Sequence, residues 1–232
     1  MFAIISDIHS NLPALEAVFA HVDSLHVDAV HCLGDIVGYG PFPNECTDII
    51  RERCTHVIKG NHDSGLIGET TLEDFNRYGQ EAIRWTEKVI GHENLEYLQQ
   101  LPFSVIENNF TLVHASPVHP EQWSYVMNRQ QAEECFHAFR TDLCFIGHTH
   151  VPVIVGEDGA VGSFRKGTRY LINVGSVGQP RDGDPRSAFG MLDTEIPAYE
   201  TIRVPYEVEK TMAAIRNAGL PAFLGHRLIQ GI

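Results

Sequence analysis

One pattern constrains this chain more than any other: short apolar runs rich in β-branched residues recur, and each gives way at once to polar or glycine-containing sequence. The runs cover residues 2–5, 29–33, 56–58, 110–113 and 143–146, and each reads as a strand. Between them lie segments of helical period at 12–25, 43–53, 72–90, 94–101 and 129–140, the first with Asn11 placed to cap it and Pro13 in its first turn. Such alternation builds parallel β-α-β units.

After His150 the spacing shortens. Strand candidates at 151–155, 170–174, 188–192 and 201–204 are separated by turn-rich stretches such as GEDGAVG and GQPRDGDP, which favour hairpins. A last helix is expected over 208–218, stopped by Gly219 and Pro221. The expected class is α/β, with mixed sheets covered by helices. No linker, internal repeat or low-complexity tract divides the chain, so residues 1–232 are read as one domain.

Composition narrows the partners. A formal net charge of −13 repels nucleic-acid phosphates and anionic membranes, so no stable nucleic-acid binding is expected, whereas a small phosphorylated substrate and a homo-oligomer are both allowed. No apolar run approaches the roughly 20 residues that cross a bilayer. The start MFAIISDIHS has neither a basic region nor a small-residue cleavage site, and a cytoplasmic protein with no membrane partner is expected. The cysteines Cys32, Cys46, Cys54, Cys135 and Cys144 lack CxxC spacing and read as free thiols, with Cys32 and Cys144 in buried strands.

In open α/β sheets ligands collect at the carboxyl ends of strands. Here the metal-competent side chains fall at those ends. Asp7 and His9 follow the first strand, with Ile8 between them letting both point the same way on an extended backbone. Asp35 follows the second in LGDIVGYGP, Asn61, His62 and Asp63 the third in GNHD, His114 the fourth in VHAS, and His148 and His150 the fifth in GHTH. Any one of these alone is a turn residue or a satisfied polar group. Five successive strand ends that all supply imidazole, carboxylate or amide oxygen make a site. Mixed ligation of this kind suits Mn, Fe, Zn, Ni or Co, and the candidates are too many for one ion. Two divalent ions about 3.5–4 Å apart, sharing a carboxylate, would activate a water and clamp phosphoryl oxygens.

Asp7-x-His9, Gly34-Asp35, Gly60-Asn61-His62-Asp63, His114 and Gly147-His148-x-His150 together resemble the signature of the calcineurin-like metallophosphoesterase superfamily. NVGSVGQPR at 173–181 is similar to the segment that closes the site in its small bacterial and archaeal phosphodiesterase branch. The resemblance implies a four-layer α-β-β-α sandwich with two mixed β-sheets flanked by helices. It implies that Asp7, His9 and His150 hold one ion, that Asn61, His114 and His148 hold the other, that Asp35 bridges them, and that manganese comes first among the metals. A bridging hydroxide would then attack the phosphorus of a phosphodiester in line, without a phosphoenzyme. His62, left unligated in this scheme, is expected to protonate the leaving oxygen or to fix the phosphate oxygen beside it, and Asp63 would steady its ring or cap the turn.

Three residues are candidates for substrate contact. Arg181 sits in a Gly- and Pro-rich loop, Asn11 lies one step beyond DIH but is better placed to cap a helix, and Tyr39 follows Asp35 with a ring that could stack on a base or cover the metals. His119, near His114, is read as a loop residue. The alternative activities are a phosphomonoesterase, a protein phosphatase or a dinucleoside polyphosphate hydrolase. The phosphatase-type GDxVDRG pattern departs here to Gly34-Asp35-Ile36-Val37-Gly38-Tyr39-Gly40, so its arginine is missing, which favours a diester. A non-catalytic scaffold or binding module with this fold would shed ligands, and every position is filled. No HxHxDH run of metallo-β-lactamase type occurs.

Overall fold

The computed structural model of the protein describes residues 1–162, 164–165, 167–193 and 198–232. Its strands form two five-stranded sheets. In the first, β1 (Phe2–Ile5), β2 (Ala29–Cys32) and β3 (His56–Val57) run parallel, β9 (Ser187–Asp193) pairs antiparallel with the other side of β1, and β10 (Ala198–Val204) pairs antiparallel with β9, giving the order β10-β9-β1-β2-β3. In the second, β5 (Phe110–Val113), β6 (Leu143–Ile146) and β8 (Tyr170–Asn173) are parallel, with β4 (Ser104–Glu107) and β7 (Val153–Gly156) antiparallel at the edges.

The strand period of two sorts the apolar residues into layers. Ile4 faces the second sheet, packing with Phe110, Leu112, Leu143, Phe145 and Ile172, while its neighbours Ala3 and Ile5 face the helices on the outside of the first sheet. Those helices are α1 (Leu12–Asp23), α2 (Pro43–Arg53) and α5 (His92–Gln100), which contribute Leu15, Val18, Cys46, Ile50 and Leu98. On the second sheet the alternate residues Val113, Cys144, Ile146 and Leu171 pack under α6 (Arg129–Cys135). The result is the expected four-layer arrangement of helices, two mixed sheets and helices.

The departures from expectation are local. The helix expected over 72–90 is broken: a 3-10 turn at Leu72–Asp74 is followed by α4 (Arg77–Val89), whose start is capped by Asn76 accepting from the Tyr78 and Gly79 amides. GNHD opens a short helix, α3 (Asn61–Leu66), rather than a simple turn, and α6 stops at Cys135 instead of 140. Edge strand β4 and a C-terminal helix, α8 (Ala222–Gln230), are additional. Leu224 and Leu228 of α8 pack with Ile215 of α7 (Val208–Asn217), with Ala82 of α4 and with Tyr39, which brings the C-terminal helices to the loop after β2. Among the described residues no helix is long and apolar enough to cross a membrane.

Phe145 is fully buried between the sheets, with the Phe110 and Tyr199 rings 6.2 and 6.0 Å away. Phe145→Ala is expected to lower unfolding free energy by roughly 3–5 kcal/mol in urea titration, because the void lies between two hydrogen-bonded sheets that close poorly around it.

Candidate metal centre

The carboxyl ends of β1, β2 and β3 in one sheet and of β5 and β6 in the other meet at one place, so the site is built from both sheets. Asp7 Oδ1 lies 3.2 Å from His150 Nε2 and 3.8 Å from His9 Nε2, and these two ring nitrogens are 3.1 Å apart. Beside them His114 Nε2 lies 3.2 Å from both Asn61 Oδ1 and His148 Nδ1, and 3.4 Å from Asp35 Oδ2. Asp35 Oδ2 is also 3.6 Å from His9 Nε2, so one carboxylate joins the two groups. Asn61 is half-buried and the other six side chains are buried.

Backbone carbonyls determine what these rings present. Val37 O faces His9 Nδ1 at 3.2 Å, Leu33 O faces His114 Nδ1 at 2.8 Å and Gln179 O faces His150 Nδ1 at 2.5 Å. A carbonyl oxygen only accepts, so each Nδ1 carries a proton and each Nε2 is turned inward, where His9 and His150, kept neutral by burial, direct a lone pair. Two such lone pairs oppose each other across 3.1 Å at His9 and His150, and the buried Asp7 Oδ1 beside them has no hydrogen-bond partner. That arrangement is repulsive by itself and is satisfied by a cation. The residues therefore fit divalent ions of borderline softness.

The titration behaviour has the same cause. Burial pushes His9 down and takes His148 down to about 3, which keeps both rings neutral and able to ligate. Burial also works against a charged His114, but the Asp35 carboxylate, by charge and hydrogen bond, and then Asp7 outweigh it and raise the ring to about 9. Asp35 is held well below the usual carboxylate range, with burial opposed by the charges of His114 and His62. The two carboxylates thus draw positive charge to the point where the lone pairs converge.

The backbone reaches this point in an uncommon conformation. Asp7 (φ 54°), His9 (49°), Asp35 (52°), His148 (65°) and His150 (61°) are all left-handed, a region that non-glycine residues enter at a cost. This corrects the expectation that Asp7 and His9 converge from an extended backbone. Their loop is instead held by main-chain bonds to its neighbours: Asp7 N donates to Gly34 O, His9 N to Asp35 O, and Val177 N and Gly178 N to Ser6 O and Asp7 O. Gly178 is required there, since a Cβ would lie 1.8 Å from Ile8 O. The stretch 173–181 closes the site in this way and also supplies the Gln179 carbonyl.

His62 lies in the cleft with its ring 4.8 Å from His9, 4.5 Å from Tyr39 and 5.0 Å from Phe75, and its buried Nδ1 has no partner. Burial, opposed by Asp35, takes it down to about 4. Its ring nitrogen also groups with His9 and Asp35 closely enough to share an ion. Gly38 (φ 93°) is needed beside it, because a Cβ would meet His62 Nδ1 at 2.3 Å.

The sequence left two roles open for Asp63 and for Asn11, and capping is the one seen for each. Asp63 does not steady the His62 ring: its carboxylate accepts from the Gly60, Ile36 and Val37 amides, capping α3 and fastening its start to the Asp35 loop. Asn11 caps α1: Oδ1 accepts from Ala14 N and Thr211 Oγ1, and Nδ2 donates to Gly178 O and the Tyr206 hydroxyl. Arg181 and Tyr39 do line the cleft, Tyr39 as a buried ring. His119 is exposed and pairs with Glu121, away from the centre. Sequence reasoning missed Tyr125, stacked on His148 at 4.0 Å, and Trp123, edge-on to His114 at 5.9 Å. It also missed Phe75 and Asn76, which the break in the expected helix delivers to the cleft.

Residues 1–196 match the Calcineurin-like phosphoesterase superfamily domain, and the chain belongs to that family. It is 43% identical to an uncharacterized protein of Methanocaldococcus jannaschii, over 100% of this chain and 98% of that one. It is 25% identical to the phosphodiesterase YfcE of Escherichia coli, over 84% and 88% of the two chains. The crystal structure of a metallophosphoesterase from Sphaerobacter thermophilus superposes with a TM-score of 0.90 at 42% identity, covering 100% of this chain and 98% of that one.

Asp63→Ala would leave three buried amides without an acceptor. A loss of about 3 kcal/mol in urea unfolding is expected, with Asp63→Asn, which keeps one acceptor oxygen, losing less.

Proposed function

We propose that the protein is a binuclear metal-dependent phosphodiesterase in which the whole chain acts as one unit. Asp7, His9 and His150 would hold one divalent ion, Asn61, His114 and His148 a second, and Asp35 would be shared, with manganese first among the candidates. The observation that carries this reading is the set of inward Nε2 lone pairs gathered around two buried carboxylates. When bound, such ions acidify a water and offset the charge of phosphoryl oxygens.

The chain's own residues supply position and hydrogen bonds. Near neutral pH the His62 ring, at about 4, is uncharged and carries a single N–H, which would hydrogen-bond the leaving oxygen of the ester while the proton that oxygen takes up comes from water. Tyr39 and Phe75 pack on that ring and keep solvent from it. Arg181, braced by its bonds to Gln179 Oε1 at 2.9 and 3.3 Å, keeps its charge directed at an anion in the cleft. The net charge of −13 fits a small phosphorylated substrate and a cytoplasmic setting without stable nucleic-acid binding.

A diester is favoured by the likeness to a phosphodiesterase and by the Gly38-Tyr39-Gly40 sequence, which lacks the arginine of the phosphatase pattern. The monoester is the second reading, favoured by Arg181 itself, which brings a guanidinium to the cleft from another loop.

Hydrolysis of bis-p-nitrophenyl phosphate should exceed that of p-nitrophenyl phosphate across a panel of divalent ions and stop with a chelator. A preference for the monoester would select the second reading, and chelator-resistant activity would remove the metal. Asp35→Asn should reduce kcat at least about 100-fold. His62→Ala should reduce it by a similar factor with metal content, measured by mass spectrometry, unchanged; loss of an ion would make His62 a ligand instead.

A further inference from the structure

Two arginines that the metal centre does not use meet beside it from distant parts of the chain. Arg181 follows β8 in the closing loop and Arg227 lies in α8. Each guanidinium carbon is 5.9 Å from the centre of the Tyr39 ring, and that ring is 4.7 Å from His9 and 4.5 Å from His62. The two segments are tied together where Gly183 N donates to Gly231 O at 2.9 Å.

Neither guanidinium pairs with an Asp or Glu side chain among the described residues. Arg181 bonds the Gln179 amide oxygen, and Arg227 Nε donates to the Ile232 main-chain oxygen at 2.5 Å. The nearby acids are taken: Asp184 is paired with Arg186 at 2.6 Å and Asp182 with Arg203. Asp74 lines the cleft but forms no ion pair with either arginine. Burial, and then the charge of Arg181, draw the Arg227 guanidinium down to about 10, which still leaves it protonated near neutral pH. Two half-buried like charges gathered on one ring, neither paired with an Asp or Glu side chain among the described residues, form a site for an anion, and guanidinium is the group best shaped for phosphate.

The scissile phosphate belongs where Asp7, Asp35 and the inward ring nitrogens converge, whereas both arginines gather on Tyr39, a ring whose neighbours are His9 and His62. We infer that Arg181 and Arg227 hold a second, uncleaved phosphate, so that the substrate is a phosphodiester carrying an additional phosphate group. This rests on the phosphodiesterase reading above and narrows it.

The test uses a thymidine dinucleoside with an uncleavable methylphosphonate linkage, with and without a 5′-phosphate, titrated calorimetrically into the manganese-supplied protein and into the same protein with chelator. The phosphorylated ligand should bind at least about tenfold tighter in both conditions, the size expected of charge-assisted hydrogen bonds. Arg227→Gln and Arg181→Gln should each bring the preference to within about twofold, and Arg227→Lys should keep part of it. Should Arg227→Gln not fold, Arg181→Gln decides. Equal affinity in the unmodified protein overturns the inference, as does a preference that survives both glutamine variants. A preference lost to chelator also overturns it, by putting the phosphate on the metal ions. Turnover of bis-p-nitrophenyl phosphate is followed in parallel. No turnover with the preference intact overturns the diesterase reading and upholds the arginine site, whereas turnover without preference overturns the arginine site alone.

Discussion

The centre depends on three main-chain oxygens. Leu33 O, Val37 O and Gln179 O each take the Nδ1 proton of one histidine and so decide which nitrogen of His114, His9 and His150 faces inward. Two of those carbonyls follow β2, and the third lies on the loop between β8 and β9. His114 belongs to the second sheet, yet the carbonyl that orients it belongs to the first. The ring is therefore correctly turned only when the sheets are in register with each other, and the inter-sheet core of Ile4, Phe110, Phe145 and Ile172 becomes a condition for ligand geometry as well as for stability.

The same dependence explains how the strained backbone persists. Left-handed conformations at Asp7, His9, Asp35, His148 and His150 each cost of order 1–3 kcal/mol. What holds them is a web of amide bonds between loops, with Asp63 as its anchor: one buried carboxylate fastens Gly60, Ile36 and Val37, and Asp35 Oδ1 returns the link by accepting from His62 N at 2.8 Å. Loops that belong to different strands are thereby held as one surface.

This division sets what could be read from the chain. The candidate ligands could be picked out because each follows closely on a strand, and strand ends are visible as changes from apolar to polar sequence. The layers were legible through the same runs. The capping by Asn11 and Asp63 was legible too, but their cross-linking of loops was not, because it depends on partners far away in sequence: Asp63 on amides 26 and 27 residues earlier, Asn11 on Gly178 and Thr211. Strand β4 escaped because it is a four-residue edge with alternating exposure, and α8 because Gly225 weakens its helical propensity. The break at Phe75 escaped because Asn76 reads equally well as a helix interior until its side chain is seen capping α4.

Arg227 carries the sharpest consequence of that last group of omissions. The family match covers residues 1–196, which include every candidate ligand, His62 and Arg181, whereas Arg227 lies beyond it on α8. The loop after Asp35 has a tyrosine where a phosphatase-type pattern would put charge, and the charge near that ring comes instead from two other segments. Replacing a local arginine by two remote ones separates the elements that perform the chemistry from those that choose its substrate. Chemistry then depends on the register of two sheets, while selectivity depends on how α8 docks against α4, α7 and Tyr39 through Leu224 and Leu228. A change in that docking would shift Arg227 and the Tyr39 ring it meets while leaving the strand ends that carry the candidate ligands in place, so the C-terminal helix is where related chains can diverge in substrate.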